Sequence, residues 1–175
     1  MVNYAKNYSC CFIGHRKLDL QFSKEHLYNL IKHLIINVGV KNFLFGSNSE
    51  FNDLCHQIVT SFKEIYPDII RTNYPLSQNA RVTPTDKLEL EQTLKKLYKK
   101  NFYICDYDNF ATVTNSKGSF AYIKRNFFMI ENANLVVAYL RDIKSKNNKT
   151  SRITNSGTKL AVDFAIKLKK DVIYI

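Results

Sequence analysis

Short apolar runs alternate with longer amphipathic segments along this chain of 175 residues. Apolar runs bounded by polar loops are typical of buried strands, whereas apolar residues three and four positions apart indicate helices. The runs predict strands at residues 9–13, 42–45, 69–72, 102–105, 135–139 and 172–175. The amphipathic segments predict helices that begin at Ser23, after Ser49, at Thr83, at Ser119 and at Ser156.

Strands that alternate with helices predict an α/β fold, in which right-handed βαβ units build a mostly parallel, doubly wound sheet with helices on both faces. The length fits one domain spanning residues 1–175. Such sheets bind ligands beyond the carboxyl ends of their strands, where the strand order reverses. Polar segments leave predicted strands at that edge at residues 14–16, 46–48 and 141–158, and this convergence predicts a binding site.

Charge narrows the class of partner. The 26 Lys and Arg residues exceed the 15 Asp and Glu residues, which gives a net charge of +11. A basic balance favours nucleotides, nucleic acid or anionic lipid, although a lysine-rich surface produces the same number without any ligand. The 45% of hydrophobic residues exclude a disordered or fibrous chain.

The cellular location of the protein is predicted from features that its sequence lacks. No apolar run reaches the ~20 residues that cross a bilayer, and residues 1–9 lack the apolar region of a signal peptide. None of the four cysteines forms a CxxC pair, and adjacent Cys10 and Cys11 point to opposite faces of their strand. We therefore expect reduced thiols, a cytoplasmic location and no membrane contact.

The segment Gly14-His15-Arg16 leaves the first predicted strand directly. Glycine lets backbone amides approach an anion, arginine can grip phosphate through two parallel hydrogen bonds, and His15 can stack on a base or donate to phosphate. The alternative is a simple turn with an exposed arginine.

The segment Ser156-Gly157-Thr158 opens the last predicted helix. A helix N-terminus offers free amides and a positive dipole end to phosphate, and the alternative is ordinary capping by Ser156. The chain has neither a Walker A lysine pattern nor GxGxxG, which argues against an ordinary ATPase or a dinucleotide oxidoreductase.

The segment Gly46-Ser47-Asn48 offers small polar groups to a ribose or a phosphate. Glu50 and Asp53 then supply carboxylates near one helix face, where acids also favour the helix dipole without any ligand. Neighbouring Cys55 and His56 do not share a helix face, so we expect no metal site there.

Four motifs in this order resemble the SLOG superfamily of DprA-like and Lonely Guy proteins, closest to its stand-alone YpsA-like branch. They are C-C-F-I-G-H-R from Cys10, F-G-S-x-S-E-F-x-D-L-C-H from Phe45, R-N-x-x-M from Arg125 and S-G-T-K from Ser156. The resemblance implies a Rossmann-like domain that binds nucleotides. It implies ligand contacts at Gly14, His15, Arg16, Gly46, Ser47, Gly157 and Thr158, supported by Asp53 and Arg125.

One departure from the superfamily bears on catalysis. Lonely Guy phosphoribohydrolases carry P-G-G-x-G-T-x-x-E, and Ala161 stands here in place of the catalytic glutamate. We therefore expect a non-catalytic or weakly catalytic binder that regulates or sequesters a small nucleotide-like ligand, with no cofactor and no metal, and with homo-oligomerisation left open. The candidate binding residues are Gly14, His15, Arg16, Gly46, Ser47, Asn48, Asp53, Arg125, Ser156, Gly157 and Thr158.

Two other functions remain open at this stage. An enzyme that cleaves an N-glycosidic or phosphoester bond would use Glu50 as its acid or base and Asp53 as a second carboxylate. Arg125 and Asn126 lie in the middle of a predicted helix. The alternative to a role in ligand binding is that they belong to a polar, solvent-facing stripe of that helix. A nucleic-acid-binding module of the DprA kind is supported by the net charge of +11.

Overall fold

The computed structural model describes residues 8–46, 49–76, 107–111, 119–141 and 156–175. The strands are β1 (Ser9–Gly14), β2 (Asn42–Phe45), β3 (Ile70–Asn73), β4 (Asn109–Phe110), β5 (Leu135–Tyr139) and β6 (Asp171–Tyr174). The helices are α1 (Lys24–His33), followed by a π-helical turn (Leu34–Val38), α2 (Glu50–Lys63), α3 (Ser119–Asn132) and α4 (Gly157–Lys167). The helix predicted at Thr83 and the strand predicted at residues 102–105 lie outside the described residues.

The six strands form one sheet in the order β4-β3-β2-β1-β5-β6, and every neighbouring pair is parallel. This confirms the predicted α/β, doubly wound, Rossmann-like architecture. The strand order reverses between β1 and β5, where Gly14 pairs with Tyr139, so both strands end at the same level. In the described part of the chain, no helix combines the length and the apolar character needed to cross a membrane.

Side-chain alternation along β1 divides the core into two layers. Cys10 and Phe12 pack with residues of α1 and α2, whereas Cys11 and Ile13 pack with residues of α3 and α4. The helices on each face also pack against each other. The predicted opposition of Cys10 and Cys11, and the predicted helices on both faces, are therefore confirmed.

Serine caps begin three of the helices. The side-chain oxygens of Ser23, Ser49 and Ser156 accept from backbone amides three residues ahead, at 3.1, 3.2 and 3.1 Å. The π-helical turn ends at Gly39, whose φ of 80° favours glycine. The predicted starts at Ser23 and Ser156 are confirmed.

In two regions the prediction from the local sequence pattern is wrong. Helical spacing from Leu54 through Phe62 predicts Ile65 on the inward face of α2, but the helix ends at Lys63 and Ile65 is 69% exposed. The polar pattern of residues 106–117 predicts an irregular connection, yet β4 lies within them. Its two residues pair with Thr72 and Asn73 of β3, a partnership that a local pattern cannot reveal.

Candidate functional site

A cavity of about 990 Å³ lies where β1 and β5 end. The predicted proximity of residues 14–16 to residues 156–158 is confirmed, because both segments line it. The described lining comprises Gly14, His15, Arg16, Lys17, Ser49, Tyr122, Ile123, Arg125, Asn126, Arg141, Ser156, Gly157 and Thr158.

The charge of this cavity is one-sided. Its described lining holds the four cations Arg16, Lys17, Arg125 and Arg141, and it holds no carboxylate, although Arg141 also pairs with Asp19 beside it. The N-terminus of α4 adds the positive end of a helix dipole at Gly157. The cavity is therefore suited to an anion, and phosphate is the anion that arginine forks and helix N-termini commonly bind.

Arg125 is only 2% exposed, so the interpretation of Arg125 and Asn126 as a solvated stripe is wrong. Its Nη2 donates to Asn126 Oδ1 at 3.3 Å. A Cβ atom at Gly46 would lie 3.0 Å from Arg125 Cδ and 2.5 Å from Met129 Sδ. Gly46 therefore makes room for α3 at the end of β2, and it is not among the described lining residues.

Tyr122 lies between an exposed and a buried cation. The guanidinium carbons of Arg16 and Arg125 lie 5.8 and 5.3 Å from the centroid of its ring. Both distances fit cation–π attraction, which orients the two groups in the same cavity. Sequence reasoning missed Tyr122, although it precedes Arg125 by three residues and such spacing places both on one side of a helix.

The two glycines of the lining differ in what they permit. A Cβ atom at Gly14 would lie 2.3 Å from Phe51 Cδ1, so close packing of β1 against α2 requires glycine there. Nothing lies within 4 Å of a Cβ atom built at Gly157. Gly157 thus faces open space at the N-terminus of α4, and packing does not explain its presence.

His15 is anchored to the neighbouring strand. Its backbone amide donates to the Tyr139 carbonyl at 3.3 Å. The pKa of His15 is lowered from 6.5. Burial is the main cause and the positive charge of Arg141 is the second, while the negative charge of Asp19 opposes the shift. This shift favours the neutral imidazole, which can donate or accept a hydrogen bond.

The two candidate carboxylates lie outside the described lining of the cavity. Glu50 is exposed, its Oε2 accepts from the Leu18 amide at 2.9 Å, and its own amide donates to the Arg16 carbonyl at 2.9 Å. These two hydrogen bonds of Glu50 fix the loop that carries Arg16. Partial desolvation is the main cause that raises the pKa of Asp53 to about 6, and the charge of Glu50 is the second cause.

Some of the other candidate binding residues line the cavity, and some lie outside the described residues. Ser47 and Asn48 lie outside the described residues, whereas Ser49, which was not a candidate, lines the cavity. Lys17 was also missed, because a single basic residue in a loop carries no pattern of its own, whereas Arg141 begins the polar segment 141–158 that the sequence places at this edge. Within the described ranges, no group of three or more His, Cys, Asp or Glu side chains could hold a metal ion.

Comparison with known proteins identifies a shared fold. No protein-family model matches the chain, and no curated protein matches it. Among solved structures, it is similar to DNA processing protein A from Helicobacter pylori, described for its single-stranded DNA binding mode. The TM-score is 0.57 at 15% identity, over 95% of this chain and 64% of that one.

At 15% identity, this structural similarity shows a common Rossmann-like fold. The present chain spans about 64% of the length of its structural neighbour. The closeness to the YpsA-like branch stays a prediction.

Proposed function

We propose that the protein binds a small nucleotide through its phosphate in the cavity between β1 and β5. One observation carries the proposal: four cations and a helix N-terminus converge in a described lining without a carboxylate. The cavity volume of about 990 Å³ fits the roughly 300–1,000 Å³ typical of small-molecule sites. The protein would act in the cytoplasm as a regulator, or would sequester a nucleotide signal.

The phosphate would sit at the N-terminus of α4. The first amides of a helix have no partner within the helix, so those of Gly157 and Thr158 are suited to phosphate oxygens. Arg16 is exposed and can close over the same anion with a bidentate fork. Arg125 would supply a second, more rigid cation, because burial and its bond to Asn126 restrict its motion.

Binding without turnover is the form of this function that we favour. Ala161 is buried and carries no acid or base, and the carboxylate of Glu50 is engaged by the Leu18 amide. General acid–base catalysis needs a group within hydrogen-bond reach of the reacting atom. An enzyme that cleaves N-glycosidic or phosphoester bonds therefore remains the less supported alternative.

A second candidate function is binding of single-stranded nucleic acid. It is favoured by the fold shared with the DNA processing protein and by the net charge of +11. Here the cavity would hold one phosphate of a longer backbone, and further basic residues would contact its neighbours.

Calorimetry with two ligand classes, each at several salt concentrations, tests the proposal. A nucleoside monophosphate should bind at one site with weak salt dependence. A protein that binds single-stranded nucleic acid should instead bind an oligonucleotide more tightly than a mononucleotide. Its affinity should fall by about 0.7 log units per log unit of salt for each phosphate contacted. Failure of every mononucleotide to bind would refute the nucleotide proposal, whether or not the oligonucleotide binds.

A further inference from the structure

We propose that a second cavity, of about 860 Å³, binds the aromatic base of the nucleotide whose phosphate occupies the first. This inference rests on the proposed function. The residues that carry it are Leu18, Leu20, Phe22, Tyr139 and Tyr174, all of which line the second cavity.

The two cavities are neighbours that share Arg141. The Arg141 Nε lies 2.7 Å from Asp19 Oδ1, and the Tyr139 hydroxyl donates to Asp19 Oδ2 at 3.0 Å. The chain itself passes from one cavity to the other between Lys17 and Leu18. A single ion pair and a short loop therefore separate them, which a ligand with a phosphate at one end and a base at the other can bridge.

The first cavity is poorly suited to the base. Two guanidinium groups already lie over the ring of Tyr122, which is the sole aromatic residue besides His15 in its described lining. A base stacked there would have to displace one of these cations. The aromatic surface available to a base thus lies in the second cavity.

The second cavity exposes apolar surface that a base would cover. Leu20 is fully exposed and Tyr174 is 55% exposed, while Phe22 packs edge-on against Tyr139 with ring centroids 4.9 Å apart. Neighbouring large apolar side chains on a surface commonly mark a binding site. A planar base would remove this apolar area from water and stack on an aromatic face.

Charge sets the orientation of the ligand. Asp19 is the only carboxylate side chain in the described lining of the second cavity, and the first has none. The ion pair with Arg141 offsets the charge of Asp19, so the second cavity offers a phosphate less positive charge than the first, where Arg16, Lys17 and Arg125 lie. The base is neutral, and its amino group or the hydroxyl groups of the ribose can donate to Asp19.

Calorimetry with ribose 5-phosphate and the four common nucleoside 5′-monophosphates tests this assignment. In the wild type, the best monophosphate should bind roughly tenfold more tightly than ribose 5-phosphate, the effect of stacking one base. Tyr174→Ser and, separately, Leu20→Ser should reduce that preference several-fold and leave ribose 5-phosphate binding unchanged. Ile166→Ser is the matched control, because Ile166 is 54% exposed and lines neither cavity.

The outcomes separate the two proposals. Equal binding of ribose 5-phosphate and all monophosphates, or a preference that both wall variants leave intact, overturns the base site and leaves the phosphate site standing. Failure of all five ligands to bind overturns the phosphate site, and the base site with it. If the wild type is a dimer that Leu20→Ser or Tyr174→Ser dissociates, the apolar wall is an interface between copies and the base site is overturned.

Discussion

Tyr122 and Arg125 are three residues apart on α3, and the guanidinium carbon of Arg125 lies 5.3 Å from the centroid of the Tyr122 ring. One of them is a nearly fully buried cation and the other is a partly exposed aromatic residue. Both side chains line the cavity, so the positive charge of Arg125 lies beside the Tyr122 ring in the cavity wall. Arg16 approaches the same ring from the loop after β1, so the ring links the two arginines.

Arg16 allows a test of binding that is separate from folding. Arg16→Ala removes an exposed guanidinium from the cavity, and a charge-assisted contact to phosphate is worth about 1.5–3 kcal/mol. Nucleotide affinity should fall at least tenfold by calorimetry, while the Tm without ligand should stay the same. Lys32→Ala, which removes an exposed cation from α1, is the charge-matched control. A lowered Tm with unchanged affinity would instead assign Arg16 a structural role.

Gly46 and Gly157 should respond oppositely to alanine. A Cβ atom at Gly46 would lie 2.5 Å from Met129 Sδ, so Gly46→Ala should destabilise the fold by about 1–3 kcal/mol through overpacking. Gly157→Ala places its Cβ atom in open space at the start of α4 and should leave stability equal or slightly higher. Urea denaturation of both variants measures the difference. Equal loss of stability in the two would contradict the packing role of Gly46.

Asp53 predicts a pH-dependent contribution to stability. Its pKa is raised from 3.8 to about 6 in the fold, so the folded state binds more protons than the unfolded state between these values. The free energy of unfolding therefore decreases at this site as the pH rises from about 4 to 6. Because Asp53 is exposed, solvent screening keeps the effect small.

Thermal melts of wild type and Asp53→Asn between pH 4 and pH 7 check the sign. The Tm of the variant minus that of the wild type should increase across this range and level off above about pH 6. The change with pH is the informative quantity, because loss of an acid near the start of α2 also alters the interaction with the helix dipole. A Tm difference that stays constant with pH would show that Asp53 has an ordinary pKa.

Glu50 distinguishes binding from catalysis. The structure engages its carboxylate with the Leu18 amide, so nucleotides incubated with the protein should be recovered intact by chromatography. Glu50→Gln retains an acceptor for that amide and should bind nucleotide as the wild type does. Repeated release of base by the wild type, abolished in Glu50→Gln with binding intact, would establish the enzyme instead. General acid–base catalysis contributes about 10²–10⁴ in rate, so such a loss is easily measured.

Much of the fold could be predicted from the sequence because the signals are local. Buried strands such as β2 and β5 are short apolar runs, and their predicted bounds, 42–45 and 135–139, are those observed. Serines that cap helices, such as Ser23 and Ser156, satisfy amides only three residues away. The proximity of Gly14 to Gly157 also followed, because strand–helix alternation determines which loops meet at the carboxyl edge.

Tertiary structure alone decided the chemistry of the site. In sequence, Arg125 is a polar residue in a helix, and its burial depends on the space left by Gly46, 79 positions away. From the sequence, Glu50 fits either a helix-dipole role or an acid–base role, and only the structure shows that the Leu18 amide engages its carboxylate. Side-chain roles of this kind depend on contacts between residues far apart in the chain, whereas sequence periodicity reports only which face of an element is apolar.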